Sequence, residues 1–112
     1  MYLRPRQIFE RFLVEEKINR LDARGGQCSE YKPTGEAVFC VVTRADPTEI
    51  EKMKSLHHDV SHVLVQRGGR AKAKVGDRLI GGERKFLVQA VDNPGGIGQW
   101  YAYFCNERFD LN

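Results

Sequence analysis

Apolar positions in this chain fall in short runs separated by clusters of glycine, proline and aspartate. The plainest run is Ala37 to Thr43, AVFCVVT, which is continuously apolar and rich in β-branched residues. That pattern predicts a buried strand. It stops at Asp46-Pro47, where a helix start is written: Asp46 as cap, Pro47 at the first helical position and Glu49 three residues after the cap. The helix that follows, EIEKMKSLH, carries Ile50, Met53 and His57 on one side and lysines and glutamates on the other. At about three turns it is too short to stand alone and needs a sheet to pack on.

After His57-His58-Asp59 the period changes from helical to alternating. In VSHVLVQ, Val60, His62 and Leu64 share one face and Ser61, Val63 and Val65 the other. RGGRAKAK interrupts this strand, VGDRLIGGERKFLVQAV supplies a short strand and a longer one, and Asp92 to Gly98 turns the chain into QWYAYFCN. Along that last strand Trp100, Ala102 and Phe104 point one way while Tyr101, Tyr103 and Cys105 point the other. A half-exposed strand keeps one polar face, and this one has none. It is expected to be buried either within its own chain or against another subunit. LDARGGQCSEYKPTGEA, between Leu21 and Ala37, reads as a long hairpin-like loop. Ile8 to Leu21 fits two patterns: a helix with Ile8, Phe9, Phe12 and Leu13 on one face, or a strand in which Phe12, Val14 and Ile18 alternate with Leu13, Glu15 and Lys17. Local propensity favours the helix. The whole predicts a mainly β fold, a small antiparallel β-barrel or sandwich with one short α-helix and long loops, in a single domain over 1–112.

Composition narrows the function classes. With 112 residues, 41% hydrophobic and 29% charged, the chain suits one globular domain and not a disordered segment. No apolar run approaches the roughly 18 residues that cross a bilayer, and no signal-peptide core follows MYLRPRQIF. Synthesis in the cytoplasm and no membrane partner are therefore expected. The net charge of +3 is weaker than a dedicated nucleic-acid binder carries. One local exception is QRGGRAKAKVGD, where Arg67, Arg70, Lys72 and Lys74 precede the first acid, Asp77. Such a loop could touch phosphates without reading sequence, or could serve only as a solvated loop. Trp100, Tyr101, Tyr103 and Phe104 are of the types that subunit interfaces favour, which makes them a candidate interface.

Candidate chemistry is thin. The glycine-rich stretches GGRAKAKVGD, GGERK and NPGGIGQ lack P-loop spacing and a following helix, so they read as turns. His57, His58 and His62 with Cys28, Cys40 or Cys105 could be assembled into a metal or Cys–His site. However, no C-x-x-C pair exists, and His58 and His62 would share a side only on a helix. No catalytic, cofactor or metal residue is assigned. A Cys/His metal-dependent enzyme and a small nucleic-acid-binding β-barrel remain as alternatives.

The order of motifs resembles the phage head–tail joining family, the small connector or stopper proteins of tailed bacteriophages. The residues that carry the resemblance are Asp22 to Gly26 (DARGG), Glu49, His58 to Val63 (HDVSHV), Gly76 to Leu79 (GDRL), Glu83 to Val88 (ERKFLV) and Asp92 to Gly95 (DNPG) leading to Cys105-Asn106-Glu107. The resemblance implies a non-enzymatic structural protein of the virion neck. It would form a homo-oligomeric ring, six- or twelve-fold, between portal or adaptor proteins and tail proteins. Double-stranded DNA would thread the ring, with Arg67, Arg70, Lys72 and Lys74 as a candidate channel-facing loop. It also implies that Phe12 to Lys17 is a strand, since a barrel needs a partner for AVFCVVT, with a helix near Pro5 or Arg6 as a possible lead-in.

Overall fold

A computed structural model describes residues 8–21, 25–93 and 100–109. Its elements in chain order are β1 (Glu10–Leu21), β2 (Gln27–Arg44), α1 (Pro47–Ser55), β3 (His62–Arg67), β4 (Arg78–Gly81), β5 (Arg84–Asp92) and β6 (Trp100–Arg108). Every strand pairing is antiparallel, and the sheet closes on itself in the order β1-β2-β3-β6-β5-β4. The mainly β class and the single short helix are as the sequence predicts, and closure leaves the six strands without an open edge within the barrel wall.

The alternation read in the sequence sorts side chains between two cores. Phe12, Val14, Val38, Cys40, Leu64, Leu79, Phe86, Val88, Tyr103 and Cys105 fill the barrel interior. On the outside, Met53 of α1 and Val60 pack on Val63, Val65, Ala102 and Phe104 of β3 and β6. The helix is thus the cover that lets β6 be apolar on both faces. Phe12 meets Phe86 edge-on in the interior, with centroids 5.8 Å apart. At the seam where β1 meets β4, a Cβ on Gly81 would sit 2.5 Å from the Phe12 ring, so only glycine fits there.

α1 starts as its sequence dictates. The Asp46 carboxylate accepts from the Glu49 backbone N–H at 2.8 Å, and the Glu49 carboxylate accepts from the Asp46 N–H at 3.1 Å. The predicted buried side shrinks to Met53 alone, because Ile50 is exposed and the helix ends at Ser55. His57 lies beyond the helix with φ 64. Its N–H donates to the Lys54 carbonyl, and the His58 N–H donates to that of Met53. This is a Schellman turn with histidine where glycine is the usual choice.

Two expectations change, and the strand assigned at Phe12 to Lys17 is borne out over its helical alternative. The long loop expected from Leu21 to Ala37 is largely strand, since β2 begins at Gln27 and runs for 18 residues. Pairs from Glu16↔Lys32 to Leu21↔Gln27 form a two-stranded ribbon that extends past β4, which pairs with β1 only at Leu13 to Glu15. Its composition is polar and turn-like with no apolar alternation, which is why the loop reading was wrong there. Pro33 and Thr34 are tolerated because the register shifts between Leu13 and Glu15, and the Thr34 hydroxyl donates to the Val14 carbonyl. Ile8 to Leu21 is strand from Glu10, including the assigned Phe12 to Lys17, and the helical alternative gives way to barrel closure. Finally, AVFCVVT is not buried throughout, since Phe39 is 56% exposed. The turn expected over Asp92 to Gly98 lies mostly outside the described residues, as do Pro5 and Arg6.

Candidate functional site

The barrel presents two chemically different ends. At one end the segment from Gly68 to Asp77 folds across the barrel, between β3 and β4. Gly68 and Gly69 both take left-handed φ values, 69° and 72°, to turn the chain out of β3. Buried Gln66 then holds the segment from below, its amide donating to the carbonyls of Gly68 at 2.9 Å and Arg70 at 2.7 Å. The Tyr103 hydroxyl donates to the Gln66 side-chain carbonyl and accepts from the Lys72 N–H at 3.1 Å. Burial pushes the Tyr103 phenol up to about 12, so it stays a donor. Ala73 sinks into the interior core, and the Asp77 carboxylate accepts from the Lys74 N–H at 3.1 Å. Burial raises the Asp77 carboxyl above its ordinary range. The sequence suggested a glycine-hinged loop, and the structure adds an internal staple that fixes it.

The four candidate cations of this segment have different surroundings. Arg70 pairs with Glu36 at 2.6 Å, and Lys74 lies 4.0 Å from Glu16 at the base of the ribbon. Arg67 is exposed and its guanidinium lies 5.8 Å from the Trp100 ring centroid. Lys72 is half-buried and tied through its backbone. Of the candidate interface residues, Tyr103 and Phe104 are buried inside this chain, in the interior and under α1 respectively, whereas Trp100 and Tyr101 are half-exposed. The structure therefore brings the two candidate sets together twice, in the interior where the Lys72 N–H donates to the Tyr103 hydroxyl, and on the outside where Arg67 lies by Trp100.

That pair continues into residues the sequence did not single out. Arg11 pairs with Phe39 across β1 and β2, Phe39 lies beside Arg67 one residue on from the Cys40↔Gln66 pair, and Arg67 pairs with Trp100. The result is an outward-facing row, Arg11–Phe39–Arg67–Trp100, alternating cation and ring across four strands. Alternation within each strand was legible, but a row across strands requires the registers.

At the other end, Glu10, Val42, Arg44, His62, Arg84 and Glu107 line an open groove of about 590 Å³. Arg84 grips Glu107 through two hydrogen bonds, at 2.7 and 3.2 Å, and this pair holds the Glu107 carboxyl below its ordinary range. His62 is buried edge-on against Phe86, and its Nε2 lies 3.9 Å from Glu107. Burial depresses its pKa, against the pull of Glu107. Its Nδ1 is 2.8 Å from the Ser61 hydroxyl, which also accepts from the Glu107 N–H. Ser61, His62 and Glu107 thus have the residue types of a nucleophile–base–acid relay. Here they knot the start of β3 to the end of β6, with the serine oxygen already engaged by backbone.

The Cys–His alternative meets the same obstacle of burial. Cys40 and Cys105 line the barrel interior, with thiols driven up, that of Cys40 to about 12, because no solvent reaches the thiolate. Both are therefore thiols at neutral pH. His57 and His58 belong to the Schellman turn, away from the interior that holds His62. Among the described residues no three His, Cys, Asp or Glu side chains converge as metal ligands.

The fold itself has known counterparts. No protein-family model matches the chain, and no curated protein sequence matches it. Among solved structures, a chain of the virion of a native gene transfer agent particle superposes with a TM-score of 0.61 at 19% identity, over 97% of this chain and 100% of that one. Protein SF1141 from Shigella flexneri 2a, solved in solution, superposes with a TM-score of 0.69 at 12% identity, over 96% and 99% of the two chains. At such identities the likeness establishes the fold. The class is thus a six-stranded closed antiparallel sheet with one external helix, and one chain similar in fold belongs to a gene transfer agent virion.

Proposed function

We propose that this chain is a structural protein of a tailed-phage or phage-like virion. It would act as a ring subunit in the neck, between portal or adaptor proteins and the tail. The observation that carries the reading is the match in fold with a virion chain, 97% of this chain on 100% of that one. The motif order from DARGG to CNE supports the neck as the location. Fixed attachment of the Gly68 to Asp77 segment supports a wall role, since a segment held from within by Gln66 and Tyr103 can present Arg67, Arg70, Lys72 and Lys74 at constant positions to passing double-stranded DNA.

Deleting the coding sequence from the particle's genome tests this directly. Filled heads without tails, leaking DNA, are the expected product. Tailed particles of normal infectivity or transfer activity would sink the reading. Neutralising Arg67, Arg70, Lys72 and Lys74 together in assembled particles should lower DNA retention; unchanged retention and ejection would remove the DNA-facing role while leaving the joining role intact. A second reading, single-strand nucleic-acid binding, draws on the Arg67–Trp100 pair, because a half-exposed ring beside a cation suits base stacking. It predicts salt-sensitive oligonucleotide binding by the isolated chain.

A further inference from the structure

The outer wall of the barrel is covered over β3 and β6 by α1; on β2 it is covered at Val41 but bare at Phe39, as it is at Leu13 of β1. On the bare wall Phe39 and Leu13 are 56% and 46% exposed, and Arg11 stands exposed beside Phe39. Leu13 and Phe39 adjoin diagonally on paired strands, and adjoining exposed apolar side chains are the material of contact surfaces. Its complement lies on the same molecule. Between α1 and the β5–β6 side is a groove of about 410 Å³, floored by Met53 and Phe104 and rimmed by Asp46, Glu49, Asp92 and Lys52. The patch is apolar and cationic and projects outward, whereas the groove is concave, apolar at its floor and carries three acids against one lysine at its rim.

Strand order fixes how the two are disposed. In β1-β2-β3-β6-β5-β4 the step from β2 to β5 is three strands out of six, so patch and groove lie on opposite sides of the barrel. One copy cannot satisfy itself, and two copies cannot satisfy each other symmetrically. Each groove must take the patch of a different copy, which is a head-to-tail contact, the kind that builds a ring when its rotation closes and a filament when it does not.

We propose that Phe39, flanked by Leu13 and Arg11, docks into the α1–β5 groove of a second copy of this chain, and that this contact is the seam of the ring. The proposal rests on the ring reading above. Phe39 seats against Met53 and Phe104, and Arg11 with Arg67 faces the acids of the rim. Both charge sets are desolvated only partly, at the rim, so the aromatic anchor supplies most of the affinity and the charges set orientation.

Disulfide trapping between differently tagged chains tests the seam, in a Cys28→Ser background in which Cys40 and Cys105 remain buried. Phe39→Cys mixed with Thr48→Cys should give cross-linked heterodimer under mild oxidation, and the double variant should give a ladder. Phe39→Cys mixed with Val75→Cys, which is exposed elsewhere, should give neither. In a chain carrying Leu13→Glu and Arg11→Glu the cross-link should be lost while the circular dichroism spectrum is unchanged. Equal yield with Val75→Cys, or no cross-link, overturns the seam. Sedimentation of the unsubstituted chain in the same buffer separates the two levels. An oligomer without the cross-link leaves the ring reading standing on another surface, while a monomer without it removes both. Protection of Phe39→Cys from thiol labelling by a single-stranded oligonucleotide, without cross-linking to Thr48→Cys, would overturn self-docking in favour of nucleic-acid binding.

Discussion

The β3–β6 wall and the β1–β2 wall are built from equally apolar sequence, HVLVQ and YAYFC against FLV and AVFCVV, yet only the first is roofed by α1, and on the second Phe39 and Leu13 stand exposed. An α-helix is about 10 Å across and neighbouring strands are about 4.8 Å apart, so α1 can roof two strands and no more. It roofs the pair that its connections place beneath it. Arg44 ends β2 and the chain returns as β3 within a short span, so the helix between them has no reach to β1. The bare wall then keeps a patch that the same local pattern would have buried elsewhere. Apolarity on both faces therefore states that a strand needs two covers, without saying whether the second comes from the chain itself.

That contrast is most easily broken by comparing one phenylalanine on each wall. Phe104→Ala empties the space beneath α1 and should cost about 3–5 kcal/mol in chemical denaturation. Phe39→Ala, on the bare wall, should change stability by less than about 0.5 kcal/mol. Similar costs would mean that the two walls are equally covered.

Next in size is the staple beneath the basic segment. Tyr103→Phe keeps the ring in the core but strands the Gln66 side-chain carbonyl and the Lys72 N–H, at a cost of about 1–3 kcal/mol. Hydrogen exchange should quicken from Gly68 to Lys74 and not under α1. A uniform rise over the whole barrel would show that the segment is not held locally.

Acid should loosen the groove end first. The folded-state pKa of His62 is depressed below its ordinary 6.5 by burial, so as pH falls through that value the unfolded chain takes up a proton the folded chain resists. Stability is therefore full above about 6.5 and declines toward lower pH. Glu107, held below its ordinary 4.5 by Arg84, contributes a further loss only below that value. Asp77 runs the other way: its raised pKa favours folding at low pH, and that contribution is lost as pH rises through the folded value. Thermal melts between pH 7 and 5 should fall for the natural chain and flatten for His62→Asn. Parallel curves would remove His62 as the cause.

The smallest effect has the opposite sign. His57→Gly relieves a left-handed backbone at the end of α1 and should raise stability by about 1 kcal/mol, read as a higher melting temperature. A loss would show that the imidazole makes a contact worth more than the strain.

Much of the local structure was legible because its physics is local. The capping box at Asp46 and Glu49 needs only four consecutive residues, and the alternation in VSHVLVQ and QWYAYFCN needs only the pleat. The ribbon was misread because QCSEYKPTG has turn-like composition, whereas pairing with β1 supplies hydrogen bonds that no single-strand pattern reveals. The candidate surfaces were half legible. Arg67 and Trp100 were each singled out for a separate reason, and their meeting with Phe39 and Arg11 depends on three cross-strand registers. The groove knot of Ser61, His62, Arg84 and Glu107 left no sequence signal beyond the pairing of a histidine with apolar neighbours, because 46 residues separate Ser61 from Glu107.

By itself the sequence determined the inventory: short strands of two-residue period, one capped helix, glycines at the turns and a strand with no polar face. Those follow from sterics and hydrogen bonding within a few residues. The tertiary structure alone decided which apolar faces α1 covers, where the four loop cations point and that patch and groove lie on opposite sides of the barrel. Each of these depends on strand order and register, which are set by closing the whole sheet around one core.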